Sequence, residues 1–375
     1  MITSISVKEV TSKDDLLHFI RFPQRLYKGN NYYIPTLVSG ELKTLSPDKN
    51  PAFEFCKAKY WLAMQNGHVV GRVAGIINKR YNESHQKKYV RFGWLDFINV
   101  EKVVKLLMQA VEEWAKEEDM EYIHGPLGFT SFDASGILIE GFDEMPTAFA
   151  HYNYEYYSDL LESIGYKKDI DWVEYQVKVP ENVPEKVTHV TELIKKRYGL
   201  RSAELKKSRD LLKYSKGIFQ LVNSEYRSIY AFSELSEKQI QVLVKDFVTI
   251  LQPEYVSIIL DSNDTVIAFG ITMPSLAKVL QKARGRLWLF ALFKIFKIYN
   301  KTTTIDALLI AVRKEYQSKG ITGLIFNDII PILIQRGFVN FESTKELEEN
   351  IKVNNLWHNY EHRLHKRTRC YIKKL

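Results

Sequence analysis

The sequence predicts an α/β fold built on a mixed sheet, and three observations carry that prediction. A run of β-branched and aliphatic residues at 302–312 (TTTIDALLIAV) leads through a short loop into a segment with helical apolar spacing. Two further segments, 60–75 and 255–270, read as β-hairpins. Each hairpin is followed at some distance by another strand and a long amphipathic helix, and strands alternating with helices indicate α/β architecture.

In chain order, the first hairpin turns at Asn66-Gly67, and a strand follows at 90–98. A helix at 100–118 then carries Val103, Leu106, Leu107, Ala110 and Trp114 as its apolar stripe. Residues 125–146 are rich in glycine and proline and read as a long loop or a series of tight turns. A helix near 153–166 and a strand at 172–179 end the first half. The polar, proline-bounded stretch 179–186 reads as a linker between domains at 1–180 and 187–375. The second hairpin turns near Asn263-Asp264. The insertion 280–299 is basic and strongly apolar but too short and too charged to span a bilayer. It reads as a lid on its own domain, or as a weak membrane contact through Trp288, Leu289, Leu292 and Phe296. After the strand at 302–312, the helix places Ile321, Leu324, Ile325 and Ile329 on one face. A strand at 338–343, a helical segment after Asn350 and a final strand at 367–373 close the chain.

Composition limits the function classes. The 375 residues suffice for two domains, each with its own core. The 45% hydrophobic and 26% charged content is that of a globular protein. Cys56 and Cys370 are too few for a disulfide framework or an ordinary zinc site, and the histidines form no metal pattern. With no leader-like apolar run after Met1, the expectation is a cytoplasmic protein with reduced thiols. The formal charge of +8 suits anionic partners without choosing among coenzyme, membrane and RNA.

The chemistry concentrates at the end of the strand at 302–312. Gln317-Ser318-Lys319-Gly320 lies where free N–H groups at a helix N-terminus point outward, and those donors suit a phosphate. The segment resembles motif A of the GNAT superfamily of acyl-CoA-dependent N-acyltransferases, whose signature is [Gln/Arg]-x-x-Gly-x-[Gly/Ala]. Gln317 and Gly320 match, Thr322 departs at the last position, and Gly323 follows one residue late. The order of elements after the loop also matches the superfamily over residues 190–375. The first half lacks the glycine loop, having Asn99-Val100-Glu101-Lys102 at that place. The whole chain resembles bacterial tandem-domain GNAT proteins through Gly125-Pro126, Gly136-x-x-x-Glu140-Gly141-Phe142-Asp143, and Tyr152-Asn153 before Tyr156-Tyr157.

The resemblance implies two tandem domains, each a twisted mixed sheet flanked by helices, with the second domain binding acetyl-CoA or another acyl-CoA. The pantetheine arm would pair with Ile310, Ala311 and Val312. The pyrophosphate would lie on Gln317, Ser318, Lys319 and Gly320, with Ile321, Thr322 and Gly323 beside it, and Asn350 would contact the coenzyme arm. The base would be Glu342 on the fifth strand, ahead of Asp306 on the fourth. Trp357 stands where many relatives have an acidic tyrosine, so Tyr360, or Tyr371, is the candidate acid. The partner expected is a small-molecule amine, with no nucleic acid. The competing readings are a coenzyme- or metabolite-binding protein without turnover, and a transferase of aminoacyl groups from charged tRNA.

Overall fold

The computed structural model describes residues 4–285 and 301–375. Most of the insertion at 280–299 therefore lies outside the described residues. The first half contains β1 (Ile5–Glu9), α1 (Lys13–Leu26), α2 (Val38–Leu45), β2 (Cys56–Gln65), β3 (His68–Asn78), α3 (Lys79–His85), β4 (Tyr89–Phe97) and α4 (Glu101–Glu117). It continues with β5 (Tyr122–Gly125), β6 (Ile137–Glu140), α5 (Tyr156–Ser163) and β7 (Lys167–Lys178). The second half contains α6 (Glu185–Tyr198), β8 (Arg201–Ser202), α7 (Asp210–Glu225), α8 (Glu237–Val248), β9 (Val256–Leu260), β10 (Val266–Pro274) and α9 (Ala277–Ala283). It ends with β11 (Thr304–Val312), α10 (Ile321–Gln335), β12 (Asn340–Glu342), β13 (Glu346–Leu347), α11 (Ile351–Asn354) and β14 (His362–Lys374). Among these residues no helix is long and apolar enough to cross a membrane.

The halves repeat one topology. In the first, β2, β3 and β4 pair antiparallel and β5 joins β4 in parallel. In the second, β9, β10 and β11 pair antiparallel and β12 joins β11 in parallel. The parallel pairs are short: residues 89–91 against 122–124, and 304–306 against 340–342. Beyond those three residues β4 and β11 run on without their parallel partners, so each half contains a parting in its sheet.

One continuous mixed sheet results, because the halves exchange their closing strands. Its order through the middle is β5–β14–β7–β12. The last strand of the second half pairs with β5 of the first through Tyr371↔Gly125 to Lys374↔Tyr122. The last strand of the first half pairs with β12 through Asn340↔Lys178 to Glu342↔Gln176. Tyr371 is fully buried among first-half residues such as Phe92, Val111 and Ile123. Its hydroxyl shares a 2.7 Å hydrogen bond with that of Ser158.

The two partings differ. In the first half the chain fills its own gap: the Leu127 N–H donates to the Phe92 carbonyl at 2.8 Å. A Cβ on Gly93 would lie 2.4 Å from the Leu127 carbonyl oxygen, so that approach depends on glycine. Tyr157 closes the far end, accepting from the Phe97 N–H at 3.1 Å beside the buried Arg72–Asp96 pair. In the second half the gap stays open.

Truncating a buried aromatic leaves a cavity costing about 3–5 kcal/mol. Tyr371→Ala is expected to cost that much in urea unfolding. It should also perturb fluorescence from Trp61 and Trp114, which lie in the first-half core.

Candidate functional site

The open parting leads into a cavity of about 1560 Å³ lined by both halves. Ala307 to Val312 of β11, the loop before α10, Lys345, Glu346 and Asn350 all line it.

The loop has the form an anion site needs. After a single turn at Lys314–Tyr316, Ser318 and Gly320 take positive φ, +62° and +78°, and α10 begins at Ile321. The Gln317 amide donates to the Val312 carbonyl at 3.0 Å and to Glu225 at 3.1 Å, tying the loop to the strand it leaves and to α7. The N–H groups of Gly320, Ile321 and Thr322 have no hydrogen-bond acceptor among the described residues. They form the positive end of a 15-residue helix. The Lys319 ammonium lies 5.1 Å from the Tyr198 ring and 5.2 Å from that of Tyr316. Gly320 is favoured by its φ, and a Cβ there would sit 2.7 Å from Ile194 Cδ1, a side-chain end that would have to move. Gly323 meets only Thr191, at 3.8 Å, so glycine is not sterically demanded one residue past the signature. Unpaired donors, a nearby ammonium and open volume fit a coenzyme pyrophosphate.

Asn350 opens α11 without a side-chain capping bond, and it lines the cavity. Ile310, Ala311 and Val312 lie on the β11 edge beyond its pairing with β12, where the Tyr226 hydroxyl donates to the Ile310 carbonyl at 2.9 Å. The coenzyme candidates therefore line one cavity, apart from Lys319, which is not among its lining residues.

The acid–base candidates do not gather there. Glu342 accepts from the Gln176 amide at 2.8 Å, and its second oxygen lies 2.8 Å from His365 Nε2. Burial raises its pKa, but His365, Lys366 and Gln176 outweigh that and leave it below the usual range. Glu342 is absent from the cavity lining. Asp306, its register partner, is buried, with the Ser275 side chain as a nearby hydrogen-bonding group. Burial pushes its carboxyl up to about 7, with Ser275 pulling the other way and Glu342 adding to the rise. Tyr360 packs on Phe326 at 6.2 Å in a side pocket of about 90 Å³ rather than in the main cavity. Tyr371 belongs to the first-half core.

Titratable groups that do line the cavity near the parting include Glu346 and Lys345, together with Glu174 and Tyr226. Glu346 lies between the main cavity and the side pocket. Its oxygens accept from the Trp357 indole N–H at 2.9 and 3.1 Å. Burial pushes its carboxyl up to about 7, against the Trp357 and Ser343 hydrogen bonds. Lys345 donates to the Ser135 carbonyl of the other half, and burial lowers its ammonium to about 8. Glu346 is absent from the sequence candidates; the signal that could have found it is Trp357, since a buried indole needs an acceptor and acids lie nearby in the chain.

A raised folded pKa makes an acid stabilising at low pH, with that contribution lost as the pH climbs through the folded value. For Glu346, with a folded value near 7, the loss between pH 5.5 and 8 is about 2 kcal/mol. Glu346→Gln is expected to flatten the fall in urea-unfolding free energy over that window by the same amount.

No family model matches the chain. Protein YghO of Escherichia coli is 26% identical over 377 residues, spanning 98% of this chain and 95% of that protein. The bacterial ceramide synthase of Caulobacter vibrioides is 23% identical over 324 residues, 84% of this chain and 82% of its own. Among solved structures, a tandem GNAT protein from the clavulanic acid biosynthesis pathway superposes with a TM-score of 0.56 at 10% identity, covering 99% of this chain and 98% of that one. The end-to-end superposition agrees with the repeated topology, the two partings and the loop before α10: the chain is a tandem protein of the GNAT fold.

Proposed function

We propose that this protein is an acyl-CoA-dependent N-acyltransferase whose coenzyme site lies in the second half. One observation carries the reading: a single cavity joins unpaired N–H groups at the start of α10, the β11 edge and the buried Glu346 carboxylate. The loop holds the pyrophosphate, and the β11 edge aligns the pantetheine arm so that the thioester lies where the strands part. Positioning of this kind supplies much of the rate in acyl transfer.

Glu346 takes a proton from the substrate ammonium, a task suited to a pKa near 7. The neutral nitrogen attacks the thioester carbonyl, the C–N bond forms, and the tetrahedral intermediate collapses with loss of the C–S bond. Trp357 holds the Glu346 carboxylate and has no acidic proton to give. Lys345, lowered to about 8, supplies a proton to the departing sulfur and recovers one from the nitrogen. The relative named as a ceramide synthase fits an amine acceptor, since ceramide formation is an N-acylation. The first half serves as a wall of the cavity, its own parting being filled.

A thermal shift with coenzyme A tests the site. A ligand at about 100 times its Kd adds roughly 2.7 kcal/mol to a native state that alone binds it. That stabilisation should appear in the native protein and vanish in Gly320→Asp; its absence from the native protein refutes the reading.

Removing a general base costs typically 10²–10⁴-fold. Glu346→Gln should lower kcat within that range and abolish the rise of rate through pH 7, while Glu342→Gln should retain that rise. Coenzyme binding without turnover on any amine would instead support a binding protein.

A further inference from the structure

Resting on that reading, we infer that the cavity has a second arm, built for the long alkyl chain of a fatty acyl donor. At about 1560 Å³ the cavity exceeds the roughly 300–1,000 Å³ of ordinary small-ligand sites. An acetyl group extends hardly beyond the sulfur and leaves the far end unused.

The excess volume is walled by apolar side chains, several of which pack on the second-half core with one side and face the cavity with the other. In α8 the sole buried residue is Gln239, while Val242, Leu243, Phe247 and Val248 are half-buried and face the cavity. A helix with an apolar stripe normally buries it against a core. Here Phe247 and Val248 reach the second-half core only in part, and the stripe lines the cavity. Phe149 of the first half stands opposite, 42% exposed, its ring 6.0 Å from that of Phe247. Ile218 and Phe219 of α7 continue the wall toward β11. At the rim the charges are paired, Lys43 of α2 with Asp246 of α8 at 2.7 Å.

Continuity decides the occupant. The lining of this one cavity includes Leu308 and Ile310, on the strand edge where the thioester is placed, together with the apolar residues of α7 and α8 named above. A chain attached to the thioester carbonyl therefore enters the arm directly. An apolar helix of another protein would have to displace the Lys43–Asp246 pair to reach the same wall.

The test is calorimetric affinity for free coenzyme A and for saturated acyl-CoAs from two to eighteen carbons. Each buried methylene is expected to tighten binding about threefold to fourfold until the arm is full. Leu243→Trp should shift the longest well-bound chain to shorter lengths, and Leu243→Ser should lower the gain per methylene. An unchanged melting temperature without ligand would show that both variants remain folded. Coenzyme binding with a flat acyl series overturns the arm but leaves the proposed function standing. A gain with alkylamines in place of acyl-CoAs reassigns the arm to the acceptor and overturns the donor assignment. A gain that neither substitution alters also overturns it, and no binding of coenzyme A or any thioester defeats both.

Discussion

The exchange of closing strands at the middle of the sheet is the constraint on which the rest of the molecule depends. With β14 against β5 and β7 against β12, neither half completes its sheet without the other. Inter-domain contacts that are merely packed allow relative motion by default. A backbone ladder does not, because separating the halves would break hydrogen bonds along β5, β14, β7 and β12 together. The cavity between the halves therefore has a fixed floor, and walls from both sides can be set to the precision that catalysis by positioning requires.

The same exchange accounts for the fate of the acids. β7 pairs with β12 in a register that sets Gln176 opposite Glu342, and β14 brings in His365. Those partners engage the fifth-strand carboxylate, which is not among the residues lining the cavity. Lys366 and Glu174, an almost fully buried pair at 3.2 Å, lie on the same two strands. Buried pairs of this kind tend to fix geometry rather than add stability, since desolvation offsets their attraction. A carboxylate of the same segment that does face the cavity is Glu346, just past the end of β12, where the chain has turned onto β13.

What the sequence shows and what it hides divide along the range of the interactions involved. Ile321, Leu324, Ile325 and Ile329 are all buried in α10, because helical spacing is a local property. Both hairpins, the loop at Gln317–Gly320 and the order of the last elements are legible for the same reason. The α4 stripe is partly misplaced: Leu106 and Ala110 are half-buried, whereas Val104, Met108, Val111 and Ala115 are fully buried. A helix covering a twisted sheet buries a wider face than a narrow stripe predicts. The segment after Asn350 forms only the four residues of α11 and a short turn at Trp357–Asn359. The withdrawal of Glu342 and the placement of Tyr371 in the other half depend on strand pairings between residues far apart in the chain, Glu342 with Gln176 and Tyr371 with Gly125. No local pattern encodes those pairings.

The two partings show how one fold can serve two purposes. Both arise identically, from a parallel pair that ends after three residues. In the first half the chain turns back through Leu127 onto Phe92, and glycine at 93 permits the approach; the gap becomes core. In the second half β12 is followed by Thr344, Lys345 and Glu346, which line the gap rather than fill it. Filling one parting gives the first half the rigidity to act as a wall. Leaving the other open exposes a strand edge and apolar helix faces that the unliganded protein cannot bury. That exposure costs stability, and under the proposed function a bound thioester would cover the same surfaces.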